Sequence, residues 1–510
     1  MPGSAAAMDA NLYDVLGLSK TAEDREIRRA FRNLVSKQHP DKGGDADRFR
    51  LIQQAYEILS DPEKRKEYDA TGRIVKTVEE EFVDSFGGGS YRDRYTRAEA
   101  AQPQTSLHEQ IVLRQSPSAQ SHSAGFEAWL RARGDAGVKV FTSDDVIDQF
   151  GVVKGSYDPV PLPHIKAYTV RCQRAGLPKE VLTLTKEPIP EELEWGQVLV
   201  SIRYAPINPA DLYTIHLGGT YGPEPPASPP FTPGHDGLGV VVKVGPGVKS
   251  LLEGDWVIPM TPHAGTWRSL AAWHEKDLLR LSPEIMPMEQ AALIREMITA
   301  YRLLEDASLK PGDCVILNAA NGTVGQFVIQ LCRLLRLRAV AIISEHSDFE
   351  KTALWLRALG AAEVLSDGGT HHGSLRVELE KNKFFAKPKL GLDAVGGDSA
   401  ARLSDALADG GQLVVYGCIS GASPQWDWRR WIFQGLRVRG FNTRKWMNEN
   451  RKKVAGLVES LAKLVSSGKL AAAVTEYELA TEFDEALDHA LDRGKNTKVM
   501  LKVSDVGEKY

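Results

Sequence analysis

The chain has 510 residues, with 63 basic and 67 acidic side chains for a net charge of −4, and is 42% apolar and 25% charged. That length asks for two to four folding units, and the ordinary balance excludes collagen-like, wholly disordered and disulfide-scaffold classes. With so small a net charge, no overall field draws the protein to nucleic acid or to an anionic membrane, and neither is expected as a partner.

The four cysteines, Cys172, Cys314, Cys332 and Cys418, form no close pair. Neither a zinc knuckle nor a CxxC redox site can be written from them, and a reduced intracellular compartment is expected. No run of ~18 apolar residues is present, so no membrane span is expected. The start, MPGSAAAMDANLYDVLG, has no basic region followed by an apolar stretch and no Arg-rich leader, so the chain reads as soluble and untargeted.

In chain order, residues 9–72 read as closely spaced helices. Ile27, Phe31, Leu34 and Val35 recur at helical spacing, a QHPDKGG loop follows, and Phe49, Ile52, Ala55, Tyr56 and Leu59 resume the pattern. The first long helix carries Arg25, Arg28, Arg29, Arg32 and Lys37 against Glu26, a locally basic face suited to an acidic surface. At its tip stand His39, Pro40 and Asp41, where proline ends the helix and exposes an imidazole and a carboxylate. Residues 73–163 break into charge runs, a glycine triplet and Ser/Gln-rich sequence, which predicts a partly disordered linker. Two short helices are predicted inside it, over Phe126–Arg133 and Asp144–Phe150.

From about His164 the texture is β-rich, with strand runs VLVSIRYAPI and GVVVKVG. From Lys310 onward strands and helices alternate, which implies a parallel, doubly wound sheet. A long amphipathic helix near the end presents Val454, Leu457, Val458, Leu461, Leu464 and Val465 on one face and stops at Gly468.

Within the alternating region, NAANGTVGQ (318–326) follows a strand and opens a helix, a turn small enough for backbone N–H groups to approach a pyrophosphate. Its spacing is not GxGxxG, and it reads equally as a tight strand-to-helix turn. The next strand ends in Ser344, Glu345 and His346, where Glu345 either bonds the ribose hydroxyls of a cofactor or is a solvated acid at a helix start. Later strands end in Tyr416-Gly417-Cys418 and Arg439-Gly440-Phe441, at the edge where ligands collect. Trp426, Trp428 and Trp431 with Arg429 and Arg430 are either an acyl pocket or dimer edge, or plain helix packing with a solvated basic side. His371-His372 reads as an exposed loop.

Two resemblances organise these observations. NLYDVLGL, the basic helix, QHPDKGG and FRLIQQAYEILSDPEKRKEYDATG resemble a J-domain over residues 9–72. That resemblance implies docking on the seventy-kilodalton heat-shock chaperone and stimulation of its ATPase, with His39, Pro40 and Asp41 as the docking residues. YAPINPADLYTIHLGGTYG, PFTPGHDGLGVVVKVGPGVKSLLEGDWVIP, GTWRSLAAW and ITAYRLL resemble the zinc-free branch of the medium-chain dehydrogenase/reductase superfamily, most closely the mitochondrial trans-2-enoyl-thioester reductases, from about Ile165 to Val503. This implies a GroES-like β domain over 164–300 with a C-terminal return over 445–505, a Rossmann domain over 301–444, and a homodimer. It also implies NADPH-dependent reduction of enoyl-CoA or enoyl-acyl-carrier-protein. The family is mitochondrial; with no presequence legible, the cytosol is the alternative. Other readings are a zinc-free quinone or alkenal reductase, and a co-chaperone whose reductase part is inactive.

Carried over residue by residue, the resemblance makes Tyr221 in GGTYG the catalytic proton donor. It places cofactor contacts on Glu296, Asn321, Gly322, Thr323, Val324, Ser344, Glu345, His346, Tyr416, Gly417, Cys418, Ile419, Phe441, Asn442, Thr443 and Lys498. GHDGLGVV resembles the segment in which zinc alcohol dehydrogenases place a histidine, but Asn208 stands at the upstream cysteine position. No metal is expected, and His235 is read as lining or bracing the cleft. Two departures stand out: REM (295–297) puts Glu296 where the family has asparagine, and Ser344 and His346 replace the arginines that hold the 2′-phosphate. Those replacements weaken the case for NADPH over NADH. For the first module, His39→Gln is expected to abolish stimulation of the chaperone's ATPase in a steady-state assay; undiminished stimulation removes the docking role.

Overall fold

The computed structural model describes residues 11–38, 51–52, 55–56, 58–60, 62–72, 78–86, 160–218, 228–283, 285–345, 348–368, 375–381, 387–492 and 494–504. The HPD tripeptide, Tyr221, His346, His371-His372 and both helices expected in the linker lie outside them. The chain divides into two compact units, Met1–Ser85 and Phe86–Tyr510.

The first unit contains α1 (Leu12–Leu16), α2 (Asp24–Gln38), α3 (Pro62–Thr71) and α4 (Val78–Ser85). Asn11 caps α1 by accepting from the Tyr13 N–H, and Gly17 ends it at φ 68°, the left-handed conformation glycine adopts without cost. Leu12, Tyr13, Leu16, Ile27, Ile52 and Leu59 form its core, with Phe31 stacked on Tyr56 at 3.9 Å between centroids. A polar knot closes it: Tyr13 Oη donates to Asp69 (2.8 Å), Arg65 Nε donates to Tyr13 Oη (2.9 Å), and a second Arg65 nitrogen reaches Ala22 O (2.6 Å). Arg25, Arg28 and Arg29 all sit on the exposed side of α2, because Ile27 and its helical neighbours take the inner side.

In the second unit the chain runs through β1 (Val160–Pro161), β2 (Lys166–Cys172), β3 (Leu182–Pro188), β4 (Glu192–Leu193) and β5 (Gln197–Pro206). Helix α5 (Pro209–His216) follows, then β6 (Leu238–Val244), β7 (Trp256–Pro259), β8 (Leu270–His274), β9 (Leu278–Leu281) and α6 (Ile294–Glu305). Next come β10 (Cys314–Leu317), α7 (Thr323–Leu334), β11 (Arg338–Ile343), α8 (Phe349–Leu359), β12 (Glu363–Ser366) and α9 (Leu375–Lys381). The chain continues with β13 (Leu390–Asp393), α10 (Gly397–Ala406), β14 (Gln412–Val415), α11 (Trp428–Gln434), β15 (Arg437–Gly440) and α12 (Thr443–Glu449). It closes with α13 (Arg451–Ser466), β16 (Val474–Glu478), α14 (Phe483–Leu491) and β17 (Lys498–Lys502).

Six parallel strands lie in the order β12-β11-β10-β13-β14-β15. Counted from β10 this is 3-2-1-4-5-6, the doubly wound order whose direction reverses between β10 and β13 and opens a ligand crevice at the carboxyl ends of those strands. The central strands β10, β11 and β13 are buried on both faces, Cys314–Leu317 completely, which accounts for their apolar runs, whereas the edge strand β15 is largely exposed. The other sheet has the order β16-β17-β5-β6-β7-β9 with β8 also on β5, and its inner strands β5 and β7 are mostly buried. The C-terminal segment returns to it: β17 pairs antiparallel with β5 and carries β16 parallel outside it.

Helix α13 buries Val454, Val458, Leu461, Leu464 and Val465, leaves Leu457 half-buried, and ends just before Gly468 at φ 69°. Two side-chain amides then clip the backbone where it crosses back. Gln330 donates to Ala471 O (2.8 Å) and accepts from its N–H (3.0 Å); Gln290 does both with Ala472 at 3.1 Å. Trp267, fully buried, centres the core of the antiparallel sheet against Phe483, with its indole N–H toward Pro206 O at 3.4 Å. Trp267→Ala is expected to cost about 3–5 kcal/mol, from the lost contacts and the cavity left behind, measured as a lowered urea midpoint.

Candidate functional site

The carboxyl edge of the parallel sheet faces the segment between β5 and α5. Ile207, just past β5, donates its N–H to Val499 O of β17 (3.1 Å), and this fixes the direction in which Asn208 projects. Asn208 Nδ2 donates to Asp236 (2.8 Å), and its Oδ1 accepts from Lys498 Nζ. Asp236 is paired with Arg295 at the start of α6 and lies 3.8 Å from Arg444 on α12. Arg295 also donates to Pro259 O (2.7 Å). Glu296, the next residue, lies 3.9 Å from Lys498 Nζ.

All of these carboxylates are buried, and they respond differently. Burial alone would raise the Asp236 carboxyl, but Arg295 and Arg444 hold it below its usual value. Burial pushes Glu296 up to about 7 despite the nearby Lys498, and both its oxygens lack a hydrogen-bond partner. Asp211, buried and close to Asp236, is likewise raised to about 7; it accepts from the N–H groups of Asn208 (2.7 Å) and His235 (2.8 Å).

His235 is committed at both ring nitrogens: Nδ1 accepts from the His263 N–H (3.3 Å), so Nε2 carries the proton toward Thr214 Oγ1 (2.9 Å). Burial, and then Arg444, push its pKa down to about 3, so it is a neutral brace for the loop. Among the described residues no group of three His, Cys, Asp or Glu is arranged to hold a metal ion.

On the side of the parallel sheet, Asn318 at the end of β10 donates to Asp393 (2.6 Å) and Ser399 (2.9 Å) and accepts from the Ala394 N–H (2.8 Å). This brace ties the two strands that flank the switch point. Gly322 caps α7 and leads into Thr323 and Val324. A Cβ at Gly325 would lie 2.5 Å from Ala320 O, and one at Gly417 2.9 Å from Ala394 O, so both turns close only on glycine. The Asn321 side chain points away from the turn to Lys495 O (3.1 Å).

Ser344 and Glu345 are exposed at the end of β11. Tyr416, Gly417, Cys418 and Ile419 follow β14, and Phe441, Asn442 and Thr443 follow β15. Asn442 accepts from the Lys445 N–H (2.9 Å) to cap α12, and Thr443 bonds Thr299 of α6 (2.6 Å).

The fold therefore places these residues along the ends of β10, β11, β14 and β15, and brings Glu296 and Lys498 together. The wider network of Asn208, Asp236, Arg295 and Arg444 went unread as a unit. INPAD, GHD and REM each carried a signal, but Arg444 had none.

Comparison with known proteins bears on the same elements. Residues 11–69 match the DnaJ domain and residues 194–276 the alcohol dehydrogenase GroES-like domain. The mitochondrial enoyl-acyl-carrier-protein reductase of Dictyostelium discoideum is 34% identical over 337 residues, covering 65% of this chain and 94% of that one. Its Arabidopsis thaliana counterpart is 34% identical over 350 residues, covering 68% and 90%. The chain belongs to the enoyl-acyl-carrier-protein reductase family.

Solved structures agree with the family. The mitochondrial 2-enoyl thioester reductase Etr1p/Etr2p heterodimer of Candida tropicalis superimposes with a TM-score of 0.57 at 26% identity, covering 66% of this chain and all of that one. The Etr1p complex with NADP and crotonyl-CoA gives the same values. A putative NADPH:quinone reductase from Bacillus thuringiensis has a TM-score of 0.56 at 26% identity, over 66% of this chain and 99% of that one. Set beside the enoyl reductase family, the N-terminal J-domain is an addition preceding the matched region.

The raised acid at Glu296 has a consequence for stability. From about pH 4.3, where an unfolded Glu ionises, up to about 7, the folded chain keeps a proton that the unfolded chain has lost, so this group's contribution falls as pH rises. Glu296→Gln is expected to gain stability relative to the unsubstituted chain at pH 8 compared with pH 5. Urea unfolding at the two pH values checks this, and a difference independent of pH would contradict it.

Proposed function

We propose that the protein reduces trans-2-enoyl thioesters, enoyl-CoA or enoyl-acyl-carrier-protein, with NADPH. The observation that carries the reading is the family match over nearly the whole length of the relatives, supported by the doubly wound strand order with its switch point at β10/β13. The chain fits such a cofactor. The Gly325 and Gly417 turns leave no room for side chains, the one at Gly322 little, and together they let the backbone approach a pyrophosphate. The two unpartnered oxygens of Glu296 offer buried acceptors at the inner end. Glu296, Lys498, Phe441, Asn442 and Thr443 would hold the nicotinamide half; Asn321, Gly322, Thr323 and Val324 the pyrophosphate; Tyr416, Gly417, Cys418 and Ile419 the wall between them. Ser344, Glu345 and His346 would meet the adenosine ribose.

Reduction adds a hydride to the β carbon and a proton to the α carbon of the conjugated thioester, and the bound nicotinamide supplies the hydride. What remains for the protein is to orient the alkene, exclude water and deliver the proton. Tyr221 delivers it: a phenol of ordinary pKa about 10 is protonated at neutral pH and able to donate. The buried lysine and guanidinium groups beside Asn208 give the inner cleft a fixed field in which negative charge developing on the thioester oxygen is better tolerated than in a wholly apolar pocket.

The relatives are mitochondrial, and the mitochondrion is the proposed compartment. A homodimer is proposed through the edge of the parallel sheet, where β15 is the last strand and α11 exposes Trp428, Ile432 and Phe433. This favours the dimer-edge reading of the tryptophan cluster; Trp426 packs inward on Trp431 at 5.6 Å between centroids. The N-terminal unit is proposed to recruit the seventy-kilodalton chaperone. A quinone reductase reading keeps a place because the Bacillus thuringiensis structure is as similar in fold.

The test is oxidation of NADPH, and separately NADH, by the purified chain with crotonyl-CoA and with a quinone. Crotonyl-CoA turnover with NADPH is expected, and Tyr221→Phe should lower kcat by about 10²–10⁴ while leaving dinucleotide binding intact. Turnover of quinone alone, or an undiminished Tyr221→Phe variant, contradicts the assignment.

A further inference from the structure

The two walls of the crevice come from different sheets: α5 follows β5 of the antiparallel sheet, and the 416–422 turn follows β14 of the parallel one. The turn is fastened to its own side. Ile419 donates its N–H to Ala394 O (2.9 Å), Ser420 to Val395 O (2.8 Å), and Gly397 donates back to Ala422 O (2.9 Å). With its N–H used in this way, Ile419 turns its carbonyl across the crevice, and there the phenol of Tyr213 on α5 donates to it. The same ring lies over Gly421, where a Cβ would be 3.6 Å from Oη and 4.0 Å from Cε1. Gly421 is at φ 66°, a conformation that keeps the turn tight beneath the ring.

We propose that Tyr213 is a positioning residue that straps the 416–422 turn to α5 across the crevice, so that the strap must open each time a dinucleotide leaves. The inference rests on the dinucleotide reading above. Tyr213 is not a second proton donor, because its hydroxyl proton is committed to a carbonyl. Nor does the strap hold the fold together. It lies at the exposed mouth and joins residues 206 apart in sequence, while the walls it joins are independently anchored by the Ala394 and Val395 backbone bonds and by Asp211 of α5, which accepts from the His235 N–H. A neutral hydrogen bond at a solvent-facing edge contributes modestly to folding, yet breaking it is a step on the way out for a ligand held behind it.

The experiment compares the full chain with its Tyr213→Phe variant, which keeps the ring and removes the hydroxyl. Release of NADPH is followed by stopped-flow fluorescence on displacement with excess NADP+. The variant is expected to release NADPH about threefold to tenfold faster, with an unchanged thermal midpoint and an unchanged KM for crotonyl-CoA. Release at the unsubstituted rate overturns the strap. So does faster release accompanied by a lowered midpoint, which would make the hydroxyl a structural group only. If the unsubstituted chain binds no dinucleotide, the dinucleotide reading itself fails; if it binds and the two rates agree, only the strap does.

Discussion

The geometry of the crevice depends on one requirement, that charges taken out of water must meet partners. Asp236, Arg295, Lys498 and Glu296 come from a loop after α5, the start of α6 and the first residue of β17, and each is less than one-tenth exposed or nearly so. A buried ion left alone costs several kcal/mol, so once the two cores form, these side chains converge or the arrangement is not populated. Asn208 serves as the coupling between them, because an amide donates with one atom and accepts with the other and so joins Asp236 to Lys498 without adding charge. Glu296 is the member left over. Its oxygens receive no hydrogen bond, and burial drives it toward the neutral form.

Around that joint, secondary structure supplies rigidity and loops supply contact. The parallel strands end together at one edge, so residues far apart in sequence, at 318–324, 344–345, 416–419 and 441–443, share a rim although no two segments are neighbours along the chain. The C-terminal return has the same effect from the other side. By pairing with β5 and being clipped at Ala471 and Ala472 by Gln330 and Gln290, it carries Lys498 into the cluster and makes the late sequence part of an early sheet. The N-terminal unit is held by a different logic. Its core is local, its polar knot of Tyr13, Arg65 and Asp69 joins α1 to α3, and its basic side chains follow from the helical period alone.

The alternation of apolar runs with small-residue turns made the doubly wound sheet legible before any coordinates, because strands buried on both faces must be continuously apolar and their turns must be tight. Motif order along the chain made both family resemblances legible as well. The role of His235 was less so: a histidine in GHD reads the same whether it binds a ligand or braces a loop, and only its two occupied nitrogens separate the cases. Likewise Asp211 in INPAD reads as a helix-start acid, which it is, but its raised pKa comes from burial and then from Asp236, 25 positions along the chain and close in space.

By itself the sequence determined the elements, their order, the glycine turns and the two modules, since each of these follows from periodicity, steric allowance or motif spacing within a few dozen residues. The tertiary structure alone decided which polar side chains meet: Arg295 with Asp236, Lys498 with Asn208 and Glu296, Tyr213 with the Ile419 carbonyl. The physical reason is that hydrogen bonds and ion pairs act over a few ångströms. Partners separated by 59 to 290 positions leave no mark on each other's local pattern until the two sheets have packed.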